Sequence, residues 1–323
     1  MSEFDLINQY FNTTAVKRDD VLLGIGDDCA ILSPPAGKQL AVSTDTLICG
    51  VHFPESTTAE DIGYKSLAVN LSDLAAMGAE PAWVSLAISL PQADESWLAS
   101  FMRGFNQLAE KYNVTLIGGD TTQGALSVTV NVTGFVETDK ALKRNRARID
   151  DAVFVTGNIG DSAIGLNAIL NKLEIDGHFS EQNKNDCIDR LNRPSPRVEA
   201  GRLLSDFSVA AIDISDGLIA DLNHICEASG VGARLDLQHI PLSQAVLNYY
   251  NNEPDWQSIL SAGDDYELCF TCPQSQLSEL HNLMDAHYID ICCIGKITDE
   301  PGVKCINNGQ LMSFNQSGYN HFK

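Results

Sequence analysis

The stretch from Leu23 to Asp45 constrains the fold more than any other part of the sequence. It begins with Gly24-Ile-Gly-Asp-Asp28, turns at Pro34-Pro-Ala-Gly37, and returns as a strand-like segment that contains Ser43-Thr-Asp45. Glycine tolerates the backbone angles of a tight bend. Oxygen ligands from two segments joined by a short turn suit a hard cation such as Mg²⁺. The stretch therefore predicts a turn and a returning strand that together hold a magnesium site.

Length and charge limit the classes of function. The chain has 323 residues, which suits two domains of roughly 100–200 residues each. A net charge of −22 argues against a general affinity for nucleic acid or for anionic membranes. The acidity either aids solubility or accompanies bound metal ions, which would let an acidic protein accept an anionic substrate.

The cysteines and the start of the chain bear on localisation. The nine cysteines have no framework spacing, which is typical of reduced thiols in the cytosol. The start, Met1-Ser-Glu-Phe-Asp5, is acidic where a secretory signal would be basic, and no apolar run approaches 18 residues. We expect a cytoplasmic protein without a membrane span.

Strand and helix patterns alternate through the first part of the chain, which indicates an α/β or α+β fold. We predict a first domain over residues 1–137 and a second over residues 138–323, with the boundary in a basic segment. The predicted elements of the first domain are a short helix over residues 3–11, the strand Leu40–Thr46, a helix from Thr58 or Asp61 to Met77, the strand Trp83–Leu90, the helix Ser96–Tyr112, the strand Val114–Ile117 with a glycine tip after it, and the strand Ser127–Val136.

The second half repeats this kind of pattern and predicts another α/β domain. Its polar residues 176–187 are expected to form a loop. The predicted elements are the strand Ala152–Thr156, a helix from Gly157–Ser162 to Leu173, a helix that starts at Arg193–Pro196, the strand Val209–Ile214, the helix Leu218–Ala228, an apolar strand over Glu267–Cys272, a helix over Gln274–His287, the strand Ile291–Ile297 and a hairpin at Asn307–Gly309.

Aspartates recur at the ends of these predicted elements. They are Asp27 with Asp28, Asp45, Asp73, Asp120, and Asp213 with Asp216. Taken singly, Asp73 is explained by a solvated helix face and Asp216 by an N-cap. Together, and without histidine or cysteine beside them, they favour several Mg²⁺ ions over zinc. Several Mg²⁺ ions usually accompany a polyphosphate, yet a Walker A loop and the protein-kinase motifs are missing.

Six motifs in order resemble one family. The chain is similar to the thiamine-monophosphate kinases of the aminoimidazole-ribonucleotide-synthetase-like ATP-binding superfamily. The resemblance implies an N-terminal domain with a mixed sheet and flanking helices, which dimerises through its strands, and a C-terminal α/β domain. It also implies that ATP phosphorylates thiamine monophosphate to thiamine diphosphate, the last step of thiamine diphosphate biosynthesis, by direct in-line transfer. The motifs are Gly24–Asp28, Ser43–Asp45, Asn70–Gly78, Gly118–Asp120, Asp213–Gly217 and Gly263–Leu268.

The resemblance also implies roles for individual residues. It makes Asp45 and Asp120 the central catalytic carboxylates. The implied Mg²⁺ ligands are Asp28, Ser43, Thr44, Asp45, Asp73, Asp120, Asp213 and Asp216. The implied ATP contacts are Tyr112, Gly119, Asp120, Arg144 and Ser215, and the implied contacts to thiamine monophosphate are His52, Asp264 and Tyr319.

One position departs from the family pattern, because Asp264 stands where the family usually has Glu. The shorter carboxylate changes what this residue can reach. Two alternatives remain open at the level of sequence. One is another enzyme of the superfamily, such as aminoimidazole ribonucleotide synthetase, and the other is a non-catalytic acidic protein that binds cations.

Overall fold

The computed structural model describes residues 7–12, 16–173, 178–207, 209–314 and 318–319. The chain divides into two compact units. The first comprises residues 1–74 and 79–139, and the second comprises residues 75–78 and 140–323. The described part of the chain contains no helix that is both long and apolar enough to cross a membrane.

The first unit is built on a four-stranded mixed sheet. The strand order is β3-β6-β4-β5, with β4 and β5 parallel and the other pairs antiparallel, and β1 and β2 form a separate antiparallel pair. The elements are β1 (Val21–Leu23), β2 (Ile31–Leu32), β3 (Lys38–Ile48), α1 (Ala59–Ala76), β4 (Glu80–Leu90), α2 (Glu95–Lys111), β5 (Thr115–Gln123) and β6 (Ser127–Glu137).

Helix α1 confirms the prediction for its start and its apolar face. The hydroxyl of Thr58 accepts a hydrogen bond from the N–H of Asp61 at 3.1 Å, as an N-cap residue does. The predicted apolar stripe of Leu67, Leu71 and Leu74 is buried. After the helix the chain turns at Gly78, whose φ of +68° lies in the left-handed region that glycine favours.

The polar face of α1 is packed inside the protein. Ser66 and Asn70 are fully buried and Asp73 is half-buried. The interpretation of Asp73 as a residue on a solvated helix face is therefore wrong. Periodicity separates the two faces of a helix, but it does not show which face meets another element.

Strand β5 is longer than predicted. The glycine tip that we predicted after Ile117 is instead part of the strand, because Gly118–Thr122 pairs with Ser85–Ser89 of β4. A register shift precedes it, where Leu116 pairs with Val84 but Gly118 pairs with Ser85. Such a bulge changes the direction of the side chains that follow it. Because glycine occurs both at turns and at bulges within strands, the sequence alone does not distinguish the two.

The second unit contains a seven-stranded sheet in the order β13-β12-β9-β11-β7-β10-β8. Among its described strands, only β12 and β9 pair in parallel. The elements are β7 (Ala152–Thr156), α3 (Asp161–Ile169), α4 (Glu181–Asn192), α5 (Val198–Leu204), β8 (Ala211–Asp213), α6 (Leu218–Ser229), β9 (Gly232–Asp236), α7 (Gln244–Tyr249), α8 (Trp256–Leu260), β10 (Leu268–Cys272), α9 (Leu277–Ala286), β11 (Ile291–Thr298), β12 (Gly302–Asn307) and β13 (Gln310–Met312).

Most predicted elements of the second unit are present, but the predicted loop over residues 176–187 is helical from Glu181 onward. Residues 181–187 belong to α4, which begins with a reciprocal capping box between Ser180 and Asn183. Cys187 is fully buried. Packing therefore stabilises a helix that the polar composition of this segment does not predict. Residues 174–177 lie outside the described part of the chain.

Three smaller predictions differ in their bounds. Helix α3 ends at Ile169 rather than Leu173, and α5 begins at Val198, after the Pro-Ser-Pro segment rather than within it. At the start of the chain, the described part of the predicted helix is a five-residue π-helical turn, Ile7–Phe11. The predicted hairpin is confirmed at Asn308 and Gly309, which both have positive φ.

Helices α1 and α2 approach so closely that their backbones touch at two glycines. A Cβ atom at Gly104 would lie 1.8 Å from the carbonyl oxygen of Glu60, and one at Gly63 would lie 2.0 Å from that of Phe101. Neither contact leaves room for a methyl group. Glycine at both positions therefore sets the distance between the helices that cover the sheet.

We expect Gly104→Ala to destabilise the first unit. Alanine gains about 1 kcal/mol of helix propensity over glycine, but forcing a methyl group into a filled site costs about 1–3 kcal/mol or more. A backbone clash at 1.8 Å lies at the costly end, so the midpoint of thermal unfolding should fall. Gly24→Ala is the matched control, because its nearest neighbour is Val21 at 3.6 Å. An unchanged or raised midpoint for Gly104→Ala would contradict the packing described here.

Candidate active site

The first polar group of the candidate site lies between β3 and α1. Ser43 and Asp45 are two residues apart on β3 and therefore share a face of the sheet. The hydroxyl of Ser43 donates a short hydrogen bond to Asp73. The N–H of Asp45 donates to the amide oxygen of Asn70 at 3.1 Å. The structure thus brings together three of the predicted metal ligands, Ser43, Asp45 and Asp73.

The two carboxylates of this group repel each other. Burial, and then the nearby Asp73 carboxylate, raise the pKa of Asp45 to about 6. A cation between the two carboxylates would remove this repulsion. The donors are all oxygen atoms, which Mg²⁺ prefers. The residues present therefore fit a magnesium ion.

Thr44 lies apart from this group. Because side chains alternate along a strand, its side chain points to the opposite face, where its hydroxyl accepts a hydrogen bond from Asn131 at 2.6 Å. The hydroxyl of Thr44 therefore lies on the opposite face of β3 from the side chains of Ser43 and Asp45.

A second group surrounds a cavity of about 650 Å³ between the glycine-rich loop and strands β4 and β5. Asp28 lines it from the loop, and Gly119 and Asp120 line it from β5. Phe11 and Ile117 add apolar surface. A cavity with a few polar groups and apolar walls is typical of a small-molecule site.

Gly119 is required by the close approach of two backbones. A Cβ atom there would lie 1.8 Å from the carbonyl oxygen of Leu86. The sheet register places Gly119 beside Leu86, Leu86 beside Val130, and Val130 beside Asp45. One row of paired residues therefore connects the cavity edge of the sheet with the Asp45 edge.

Two other predicted residues of the first unit lie at element ends. His52 follows β3, and its Nδ1 atom accepts a hydrogen bond from the N–H of Ile48 at 3.0 Å. The neutral ring then carries its proton on Nε2. Tyr112 ends α2 with the Lys111 ammonium 5.0 Å from its ring centroid, and it is not among the described residues that line the cavity.

The third group lies in the second unit at the junction of β8 and α6. Asp213 ends β8 and is buried. Ser215 and Asp216 follow it and are half-buried. The interpretation of Asp216 as the N-cap of α6 is wrong, because Gly217 occupies that position without a side-chain cap.

Asp221 binds the backbone that Asp216 was expected to cap. Its buried carboxylate accepts hydrogen bonds from the N–H groups of Ser215, Asp216 and Gly217. Burial is the main reason that the pKa of Asp221 is raised, to about 7. The only sequence signal for this role is a carboxylate in the first turns of a largely apolar helix.

Two further segments contact this junction. The N–H of Asp264 donates to the carbonyl of Ser215 at 2.9 Å, and the N–H of Tyr319 donates to that of Asp216 at 3.0 Å. The hydroxyl of Tyr266 donates to the Asp264 carboxylate at 3.1 Å. The structure therefore brings together four predicted residues, Ser215, Asp216, Asp264 and Tyr319.

The loop that carries Asp264 has strained backbone. Asp264 has a φ of +70° and Tyr266 a φ of +49°, which is uncommon for residues other than glycine and an outlier for a bulky one. Such strain persists only where the surroundings hold it, and it concentrates at functional sites. Arg144, also predicted to bind ATP, is exposed in the short 3₁₀ helix Arg144–Arg146, where its carbonyl accepts from the Ser229 hydroxyl at 2.8 Å.

Sequence reasoning missed the buried ion pairs behind this loop. The fully buried Glu267 accepts hydrogen bonds from Arg190 at 2.7 Å, from Arg197 at 2.5 Å through two nitrogens, and from the Thr156 hydroxyl at 2.6 Å. Gly157 leaves the space for them, since a Cβ there would lie 2.3 Å from Glu267. Glu267 is thus a structural residue that fixes the end of the loop.

The predicted metal ligands occupy three places rather than one. Among the residues that the structure describes, no three His, Cys, Asp or Glu side chains form a preassembled metal cluster. The groups are Ser43, Asp45 and Asp73 at β3 and α1, Asp28 and Asp120 at the cavity, and Asp213 and Asp216 in the second unit.

Family models match both halves of the chain. The model for the N-terminal domain of AIR synthase related proteins matches residues 26–136, and the model for the C-terminal domain matches residues 148–307.

Whole relatives match as well. The chain is 46% identical to thiamine-monophosphate kinase of Escherichia coli (strain K12) over 99% of this chain and 98% of that protein. A crystal structure of thiamine-monophosphate kinase from Stenotrophomonas maltophilia K279a is 45% identical with a TM-score of 0.86, covering 97% of this chain and 98% of that one. A structure of AaThiL complexed with AMPPCP and TMP is 31% identical with a TM-score of 0.78, covering 99% and 97%.

We expect Asp265→Asn to flatten the fall in stability as pH rises from 3.8 to about 8. Asp265 is buried near Asp161, Arg190 and Ser162, and burial raises its pKa from 3.8 to about 8. Between these values the folded state holds a proton that the unfolded chain has released. Stability therefore falls as pH rises through this window, by up to about 1.4 kcal/mol per pH unit for one group.

The measurement is the free energy of unfolding in urea from pH 5.5 to 8.5. Asn keeps an oxygen that accepts from Gly160 and Ser162, the present partners of Asp265. Asp186→Asn, on the exposed side of α4, is the control and should follow the wild-type slope. If Asp265→Asn also follows that slope, the assignment of the raised pKa is wrong.

Proposed function

The chain belongs to the thiamine-monophosphate kinase family, and we propose that it transfers the γ-phosphoryl group of ATP to the phosphate of thiamine monophosphate. The products are ADP and thiamine diphosphate. The bond from the γ-phosphorus to the bridging oxygen of ATP breaks, and a bond to a phosphate oxygen of thiamine monophosphate forms. The observation that carries the proposal is the group of carboxylates and glycines around the cavity. It is supported by the relative AaThiL, whose structure is complexed with AMPPCP, an ATP analogue, and TMP.

In this proposal the nucleotide occupies the cavity of the first unit. The apolar wall that includes Phe11 and Ile117 suits a base, and Gly119, which also lines the cavity, is a proposed contact to the nucleotide. Tyr112, Arg144 and Ser215 are the further ATP contacts. Asp28 and Asp120 lie on the polar side of the same cavity.

Magnesium ions belong to this proposal. Asp45, Asp73 and Ser43 form the best-defined set of ligands. The further proposed ligands are Asp28, Thr44 and Asp120 in the first unit, and Asp213 and Asp216 in the second. When bound, Mg²⁺ neutralises the phosphate charges that oppose the meeting of two anions. The chain's own residues hold these donors in place, as the hydrogen bond from Ser43 to Asp73 illustrates.

The chemistry requires no general base. The attacking oxygen belongs to a phosphate that is ionised at neutral pH, so no proton has to be removed. What the protein contributes is position and charge. His52, Asp264 and Tyr319 are the proposed contacts to thiamine monophosphate. The Nδ1 atom of His52 accepts from the N–H of Ile48, so the donor of the neutral ring is its Nε2–H.

We expect Asp45→Ala to remove catalysis while leaving the fold intact. The carboxylate is a proposed metal ligand and lies half-buried near Asp73, so turnover should fall by at least about a hundredfold. The assay follows thiamine diphosphate by chromatography after incubation with ATP, Mg²⁺ and thiamine monophosphate. EDTA should abolish the product in the wild type.

Glu137→Ala is the matched control. It also removes one negative charge from the sheet, but Glu137 is exposed and pairs with Lys38 at 3.3 Å, a kind of contact that contributes little. Near-normal turnover of Asp45→Ala would overturn the assignment of this site, and no product from the wild type would overturn the reaction.

We also propose a homodimer that forms through the sheet of the first unit. Among the described strands, β3 pairs only with β6, and its outer face exposes Leu40 and Val42 at 50% and 60%. A long apolar edge strand is a ready site for association with another chain. Light scattering should give the mass of two chains, and Val42→Glu should shift it toward one. A monomeric wild type would refute the dimer.

A further inference from the structure

Asp221 is a buried carboxylate without a part in the proposed chemistry. It is 2% exposed. A single oxygen, Oδ2, accepts hydrogen bonds from three successive N–H groups, those of Ser215 at 3.0 Å, Asp216 at 3.0 Å and Gly217 at 3.1 Å. Hydrogen bonds to an ionised acceptor are the stronger kind. One side chain therefore fixes the turn between β8 and α6.

The carbonyl groups of the same turn are also occupied. The carbonyl of Ser215 accepts from the N–H of Asp264 at 2.9 Å, and the carbonyl of Asp216 accepts from the N–H of Tyr319 at 3.0 Å. The backbone polar groups of Ser215 and Asp216 are thus all hydrogen-bonded within the protein. Their side chains are what this turn presents to a ligand.

Close packing makes the arrangement rigid. A Cβ atom at Gly263 would lie 2.1 Å from the carbonyl oxygen of Ser215, and one at Gly318 would lie 2.5 Å from the Cβ of Ala220. At these two glycines, the loop before Asp264 and the segment before Tyr319 pack directly against the turn and the start of α6. A displacement of Ser215 and Asp216 therefore either presses on these segments or stretches the hydrogen bonds from Asp264 and Tyr319.

We propose that Asp221 is a positioning residue that couples the nucleotide contacts to the substrate contacts. It holds Ser215 and Asp216 on one side and, through their carbonyl groups, Asp264 and Tyr319 on the other. This inference rests on the proposed function, which assigns the first pair to ATP and Mg²⁺ and the second pair to thiamine monophosphate. Removing the carboxylate should weaken the binding of both substrates together.

A carboxylate that only stabilised the start of α6 would behave differently. Its loss would lower the unfolding midpoint, as the loss of a helix cap does, but would leave both KM values unchanged. The ratio of effects on KM and on stability therefore separates the two roles.

The test measures KM for ATP, KM for thiamine monophosphate, and the dissociation constant of AMPPCP with Mg²⁺ by calorimetry. Asp221→Ala should raise both KM values by about tenfold and weaken AMPPCP by a similar factor, as the loss of residues behind a metal site commonly does. Asp221→Asn should lie between Asp221→Ala and the wild type, because its amide oxygen accepts the same hydrogen bonds without the charge. Ser215→Ala should raise KM for ATP alone.

Asp151→Ala is the matched control. Asp151 is 4% exposed, lies in the same unit, and accepts a hydrogen bond from the N–H of Arg148 at 2.9 Å. The substitution should lower the unfolding midpoint and leave both KM values unchanged.

The decisive variant is Asp221→Ala if it folds, and Asp221→Asn if it does not. A parallel rise of both KM values supports the coupling; for Asp221→Asn this rise should be at least about twofold. Unchanged KM values, or a rise in only one of them, overturn it. A wild type that does not phosphorylate thiamine monophosphate instead refutes the proposed function. In that case the calorimetric constant decides whether Asp221 positions the nucleotide contacts, and an unchanged constant rejects that role too.

Discussion

Repulsion between carboxylates held close together is the constraint on which the candidate site depends. The carboxylates of Asp45 on β3 and Asp73 on α1 lie near each other. Burial, together with this repulsion, raises the pKa of Asp45 to about 6. The apolar stripe of α1 keeps the helix in place, so the two side chains are not free to separate. A protein gains nothing in stability from such a pair. The arrangement is accounted for by a cation that binds between them and by the charged substrates that the cation then admits.

The scaffold serves this constraint through close backbone contacts. Glycines at the crossing of α1 and α2, and Gly119 between β4 and β5, bring elements to distances that no other residue allows. In the second unit the turn after β8 is held by Asp221, Asp264 and Tyr319. Catalysis by position requires donors that do not relax when the substrate binds, and both units supply such rigidity around their predicted ligands.

Local patterns predicted much of the fold. The spacing of Leu67, Leu71 and Leu74 located the buried face of α1, and the Asn-Gly pair located the last hairpin. Where prediction failed, a distant contact decided the structure. The helix α4 depends on the burial of Cys187, and the strand through Gly118 depends on its pairing with β4.

The candidate site shows the same limit. Motifs identified the aspartates, but they could not show which carboxylate would accept hydrogen bonds from the backbone of the turn. Both Asp216 and Asp221 stand near the start of α6, and only the folded chain shows that Asp221 does so. Similarly, strand alternation predicts that the neighbours Ser43 and Thr44 point to opposite faces, but the sequence does not show which of the two faces meets Asp73.

The central claim is most directly tested by calorimetric unfolding of the wild type and of Asp73→Asn, each with and without Mg²⁺ and AMPPCP. Asn keeps an oxygen to accept from Ser43 and removes one of the two repelling charges. The account predicts that Asp73→Asn is more stable than the wild type without Mg²⁺, and that it loses most of the stabilisation that Mg²⁺ with AMPPCP gives the wild type. A variant that is less stable without the cation, or that is stabilised as much as the wild type, would contradict it.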